Sequence, residues 1–134
     1  MKGDVGLAVI DYLQLVSAPG YESRVQEITA ISRSLKQISM ELQIPILALS
    51  QLSRQCEINN RKPILSDLRD SGSIEQDADC VFLLSVDDKV DDNKDRIHLH
   101  LAKNRGGETD QSLTLGFEKS LGRWTTRLGP SKTW

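Results

Sequence analysis

Several places in this sequence carry side chains whose type and setting suit chemistry. In Val9-Ile10-Asp11 an aspartate closes a short apolar run. A carboxylate at the C-terminal end of a buried strand, the form of a Walker B element, can orient a water on a Mg²⁺ ion at a nucleotide phosphate. That hard cation takes oxygen ligands and keeps much of its hydration shell. Read alone, an Asp at a strand end serves equally as a cap or turn residue. Gln51 closes a second apolar run, Ile46 to Ser50. If the two runs are neighbouring strands, its amide sits beside Asp11, where it can sense a terminal phosphate or position a water; otherwise it is a polar strand end in solvent. His98 and His100 share a face of an alternating segment. With no Cys or third His near them, they read as a half-exposed strand face rather than a metal site. The acidic run from Asp87 to Asp95 lacks the glycine and terminal glutamate of a calcium loop and reads as a solvated turn. Cys56 and Cys80 belong to no CxxC pair and read as reduced thiols.

The elements that must hold these residues follow from hydrophobic periodicity. Gly6 to Ile10 is apolar without alternation, which predicts a buried parallel strand, and ligands of α/β sheets gather at the C-terminal ends of such strands. From Ser23 to Gln43, Val25, Ile28, Ile31, Leu35, Ile38 and Leu42 recur every three or four residues, which predicts an amphipathic helix. Ser23 with Gln26 resembles a capping box, and Pro45 ends the helix. Ile46 to Ser50 is then a second buried strand and Cys80 to Val86 a third apolar strand. The polar stretch from Leu52 to Leu65 reads as a mobile loop, and Ser66 to Ala78 as a short helical segment broken near Gly72. Ile97, Leu99 and Leu101, like Leu113, Leu115 and Phe117, alternate with polar neighbours, as in strands with one wet face. The order predicts an α/β fold, with parallel core strands giving way to antiparallel strands at the C-terminal end of one sheet.

Composition narrows the function classes. The 134 residues are 38% hydrophobic and 27% charged, which suits one folded domain over residues 1–134 rather than a disordered chain. No apolar run is long enough to cross a bilayer, and the N-terminal stretch is interrupted by Asp11 and lacks a small-residue cleavage site, so a cytoplasmic protein is expected. The formal net charge of −2 offers no general basic footprint, so any contact with nucleic acid must be local.

The segments VIDYLQL (Val9 to Leu15), PILALSQLSR (Pro45 to Arg54), LSDLRDSGSIEQDAD (Leu65 to Asp79) and AKNRGG (Ala102 to Gly107) follow one another in the order and spacing of the DnaB family of replicative helicases, which this chain resembles up to about Arg123 to Leu128. LSDLRDSGSIEQDAD is the most specific of them, since no strand or helix pattern forces its length and polarity. The resemblance implies a RecA-like ATPase that uses ATP and Mg²⁺, assembles as a homo-hexameric ring and translocates on single-stranded DNA, with a primase and a helicase loader as partners. Carried over by position, Asp11 is the Walker B aspartate that holds Mg²⁺ through water. Gln51 couples the γ-phosphate to the DNA loops. Lys103 and Arg105 reach a neighbouring subunit's γ-phosphate, the arginine as a finger. Arg69, Asp70 and Gly72 hold the single-stranded DNA backbone. Asp70 departs from the longer Glu usual there, and would orient Arg69 or accept a bond from sugar or water rather than face phosphate. Gly106 to Thr109 depart from an Asn-Gly-Pro type of turn.

No GxxxxGK[ST] occurs in the sequence, so the loop that cradles the α- and β-phosphates is missing and the chain is expected to be inactive alone. The expectation is a truncated motor domain that runs from the Walker B strand onward. A different RecA-like ATPase would share Asp11 and Gln51 but not LSDLRDSGSIEQDAD. A non-catalytic remnant that docks on a helicase or primase is the alternative from another class.

Overall fold

The computed structural model describes residues 5–59, 61–68 and 72–126. The chain divides into two compact units, Met1–Asn60 with Ser66–Ala78, and Arg61–Leu65 with Asp79–Trp134.

In the first unit, β1 (Ala8–Ile10) and β2 (Ile46–Ala48) pair in parallel, with Val9 opposite Leu47 and Ile10 opposite Ala48. The crossover between them is α1 (Arg24–Leu42). Ser23 caps this helix, its Oγ accepting from the Gln26 N–H at 3.3 Å, as the Ser-x-x-Gln spacing predicts. At the other end Gln43 takes a left-handed conformation at φ 53° and its N–H returns to the Ser39 carbonyl. Ile28 and Ile31, in the middle of the apolar stripe, are buried, whereas Val25, Ile38 and Leu42 are exposed. The strands read as buried on both faces are also partly open, with Val9 56% and Leu47 51% exposed.

Two short helices follow in this unit. α2 (Gln55–Ile58) lies inside the stretch expected to be loop throughout. Ser53 starts it locally, since its Oγ accepts from the Gln55 N–H and its carbonyl accepts from the Cys56 thiol. α3 (Gly72–Asp77) comes after a 3₁₀ turn at Leu65–Asp67, and the break expected near Gly72 falls at residues 69–71, outside the described residues. Polar bonds tie α3 to α1: Ser32 donates to Asp77 at 2.7 Å and Ser73 to Thr29 at 3.1 Å, beside the buried Ile74.

The second unit is an antiparallel sheet in the order β3-β4-β5-β6, formed by Cys80–Asp91, Lys94–Asn104, Gln111–Glu118 and Arg123–Thr125. The α/β class stands, with parallel and antiparallel strands in the predicted order, but they hydrogen-bond as separate sheets rather than one. The acidic run from Asp87 to Asp95 corrects the sequence reading. Only residues 92–93 make a turn, and the rest of the run is paired strand at the end of the β3–β4 hairpin, with Asp91 opposite Lys94. Asp92 and Asn93 are turn formers. The Asn93 carbonyl and side-chain oxygens accept from the Lys119 and Ser120 N–H groups, which anchors the tip.

Register sorts this sheet into two unlike faces. Phe82, Leu84 and Val86 stand opposite Leu101, Leu99 and Ile97, and β5 adds Leu113 and Leu115 to the same face. Phe82, Leu84, Val86 and Leu113 are each more than half exposed. Phe117 and Trp124 end this face with ring centroids 4.9 Å apart. On the other face the buried Val81 and Leu83 lie with Ser85, His98 and His100. Lys62, Pro63 and Ile64 help Leu83, Ser85 and the histidines line a cavity of about 230 Å³. The imidazoles stack with centroids 6.1 Å apart, sharing a face as the alternation predicts.

Candidate functional site

The parallel pairing of β1 with β2 decides where the first unit's polar strand ends fall. Both strands finish at the same end of the sheet, so Asp11, next after Ile10, and Ser50-Gln51, past β2, follow that same end. The ladder continues beyond the strands. Leu49 N–H donates to the Ile10 carbonyl and Leu13 N–H to the Leu49 carbonyl, each at 2.9 Å. Asp11 and Gln51 are both solvent-exposed. The Asp11–Tyr12 peptide bond is cis.

Gln14 ties these strand ends together, a residue that sequence reasoning passed over. Its Nε2 donates to Ser50 Oγ at 3.0 Å, and its Oε1 accepts from the Gln51 backbone N–H at 3.3 Å. The sign it left is a lone amide between Leu13 and Leu15, in the 3₁₀ turn Leu13–Leu15 whose Leu13 is buried. Arg24 holds the same turn from behind, donating to the Gln14 carbonyl at 2.8 Å and the Val16 carbonyl at 3.2 Å. Arg24 also pairs with Glu27. Glu27 accepts from the Ala18 N–H at 2.6 Å, and this bond, with the Arg24 guanidinium second, holds its carboxyl below the ordinary value of 4.5.

Past Gln51 the chain is fastened once more. Ser53 is buried, and its N–H donates to the Asp67 carbonyl at 2.7 Å. Asp67 is itself only 3% exposed. The end of β2 is thereby bonded to the residue two places before position 69. Arg69 and Asp70, expected to contact a nucleic-acid backbone, lie outside the described residues. Gly72 opens α3, and a Cβ there would meet nothing within 4 Å, so the fold itself does not require glycine at this position.

The remaining expected site residues stand in the second unit. Lys103 is half-buried near the end of β4, opposite Val81, and Arg105 follows the strand. Arg105 N–H donates to the Asp79 carbonyl at 2.8 Å, and its guanidinium meets the Asp79 carboxylate at 3.2 Å. Both side chains of that pair are more than half exposed, where such a pair is worth about 0–1 kcal/mol, so it restrains the guanidinium only lightly. Asn104 shapes the turn that carries Arg105. Its Oδ1 accepts from the Gly106 N–H and its Nδ2 donates to the Glu108 carbonyl. A Cβ at Gly107 would come within 3.0 Å of Asn104 Nδ2, so glycine fits closest there.

Chemically, the first unit offers a hard oxygen donor and an amide at one end of the sheet, and the second a guanidinium at a strand end. Among the described residues no group of three or more His, Cys, Asp or Glu is placed to hold a metal ion. A single carboxylate suits an ion that keeps its waters and takes its other ligands from phosphate oxygens, as Mg²⁺ does. No helix among the described residues is long and apolar enough to cross a membrane.

Comparison with known proteins agrees with this fold. The family model for the DnaB-like helicase C terminal domain matches residues 1–126. Replicative DNA helicase DnaB of Geobacillus stearothermophilus is 46% identical over 129 residues, and replicative DNA helicase DnaC of Bacillus subtilis is 45% identical. Each alignment covers 92% of this chain and 28% of the relative. Among solved structures, one described as an ATPase domain superposes with a TM-score of 0.79 at 42% identity, over 89% of this chain and 43% of that one. A DnaB-like replicative helicase, described with its interactions with primase, gives the same TM-score of 0.79 at 40% identity, over 89% of this chain and 29% of its own. The chain belongs to the DnaB-like helicase C-terminal domain family, and it spans under a third of the length of these curated relatives.

Proposed function

We propose that this chain is the C-terminal part of the ATP-driven motor of a replicative DNA helicase, acting in the cytoplasm as a segment of a homo-hexameric ring on single-stranded DNA. The observation that carries the reading is the convergence of Asp11 and Gln51 at the ends of neighbouring parallel strands, with the Gln51 strand end bonded onward through Ser53 to Asp67. In this reading ATP binds at that end of the sheet. Asp11 would hold Mg²⁺ through a water, and the ion would supply charge neutralisation at the nucleotide phosphates. The Gln51 amide faces the γ-phosphate, and its loss on hydrolysis is passed along the backbone to Asp67 and on to Arg69, Asp70 and Gly72, which grip the DNA backbone. Lys103 and Arg105 serve the adjoining subunit's γ-phosphate, where a guanidinium spreads the charge of the transition state. Residues 1–134 hold no GxxxxGK[ST] phosphate-cradling loop, so these residues by themselves are expected not to turn over ATP. Primase is a partner by analogy with the solved relative described with it, and a helicase loader is the other expected partner.

The test joins this chain to the upstream portion of the Geobacillus stearothermophilus relative. The chimera is expected to hydrolyse ATP and unwind a forked duplex, and Asp11→Asn is expected to abolish both while leaving the thermal midpoint within a few degrees. A chimera that folds yet turns over ATP normally with Asp11→Asn would return Asp11 to the role of a strand-end turn residue.

A further inference from the structure

We propose that Gln14 is a positioning residue that sets Gln51 against the nucleotide, an inference that rests on the reading of Gln51 given above. Past Leu49 the backbone has left the strand ladder, and Gln51 itself is exposed. A side chain expected to meet one phosphate oxygen cannot hold its place from such a backbone without a further restraint. Gln14 supplies it through both ends of one carboxamide. The Gln51 N–H is a donor only, so it must face Oε1, and the 3.3 Å bond is of that kind. This leaves Nε2 for Ser50 Oγ at 3.0 Å, and a hydroxyl can accept it. The amide is thus fixed in orientation by its partners, and it grips consecutive residues of the β2 end.

The clamp also has a firm base. Leu13 is buried, and the Gln14 carbonyl is held by Arg24 from the first turn of α1. Asp11 lies three residues before Gln14 on the same short turn-bearing segment, so one segment carries the carboxylate and the clamp for its amide partner. Misplacing a catalytic or sensing group by about 1 Å can cost on the order of 100-fold in rate. Loss of the clamp is therefore expected to lower kcat by about 10- to 100-fold while the ATP KM changes little, because Gln14 itself touches no substrate.

Two substitutions separate positioning from bulk. Gln14→Leu keeps the size and removes both polar ends. Gln14→Glu keeps an acceptor for the Gln51 N–H and accepts from the Ser50 hydroxyl, so it should recover most of the rate. In the chimera described above, Gln14→Leu is expected to lower kcat with KM for ATP held, Gln14→Glu to restore it, and Gln14→Leu/Gln51→Ala to be no slower than Gln51→Ala alone. In parallel, on this chain itself, amide hydrogen exchange at Gln51 followed by NMR is expected to quicken with Gln14→Leu and not with Gln14→Glu. Equal exchange in all three proteins overturns the clamp directly. Loss of turnover with Gln51→Ala but not with Gln14→Leu, or fully additive losses in the double variant, overturns the positioning role and leaves the reading of Gln51 intact. If Gln51→Ala itself turns over normally, the function assigned to Gln51 fails, and a role for Gln14 in turnover fails with it.

Discussion

At the scale of single residues, the assigned roles make opposite demands on folding and function. Gly72 opens α3, where a Cβ meets open space. Gly72→Ala should therefore leave the fold intact and raise its stability by up to about 1 kcal/mol, since alanine loses less backbone entropy in a helix. If glycine is there to let a DNA strand approach, the same change lowers affinity for single-stranded DNA, read by fluorescence anisotropy with a labelled oligonucleotide. Unchanged affinity would remove Gly72 from the DNA contact. Arg105 allows a test in mixed assemblies, because a finger serves the neighbouring site and not its own. Rings that combine Arg105→Ala subunits with Asp11→Asn subunits should outperform either pure variant at some ratio. A rate that never exceeds the better pure variant would return Arg105 to a basic turn held on Asp79. Glu27 gives a pH signature. Its carboxyl is held below 4.5 in the fold, first by the Ala18 N–H and then by Arg24, so its stabilisation is complete above the unfolded value and fades as pH falls through the folded one. Glu27→Gln should thus destabilise the chain at neutral pH and flatten the decline in thermal midpoint below about pH 4.5.

Among the elements, what could be read from the sequence was whatever a strong period or a local cap determines. The helix over Ser23 to Gln43 carries both signals, and α1 starts and stops within a residue of that range. The period could not report how much of the stripe is covered, because covering depends on partners distant in sequence. Among the described residues Ile28 and Ile31 are covered and Val25 and Leu42 are exposed. The acidic hairpin end was misread because charge argued for solvent, while pairing is a backbone matter that β4 settles from across the turn. At the site, Asp11 and Gln51 were visible as polar residues ending apolar runs. Gln14 was hidden inside a run that its apolar neighbours dominate, and Ser53 acts through its main chain, which no side-chain pattern records. That bond from Ser53 to Asp67 is immune to alanine substitution at either residue. Only replacing the Ser53 N–H, with proline or a backbone ester, removes it. The α1 C-cap offers the converse experiment. Gln43 holds φ 53°, a conformation that costs a residue with a Cβ about 1 kcal/mol. Gln43→Gly should raise the melting midpoint, and a lowered midpoint would mean that the Gln43 side-chain bond to Met40 outweighs that cost.

For the molecule as a whole, the uneven exposure of the antiparallel sheet has a practical consequence. Trp124 sits at the end of the apolar face, 52% exposed and packed at a tilt against Phe117. An indole in that position emits according to the polarity of what surrounds it. With Trp134→Phe removing the second indole, the colour of Trp124 emission becomes a gauge of whether this face is wet. A binding partner that settles on the Phe117 end of this face dries the ring and moves the emission to shorter wavelength, whereas one that binds elsewhere leaves the spectrum in place. The fold thus contains its own optical label, at a position where assembly can be followed in real time without attaching a dye.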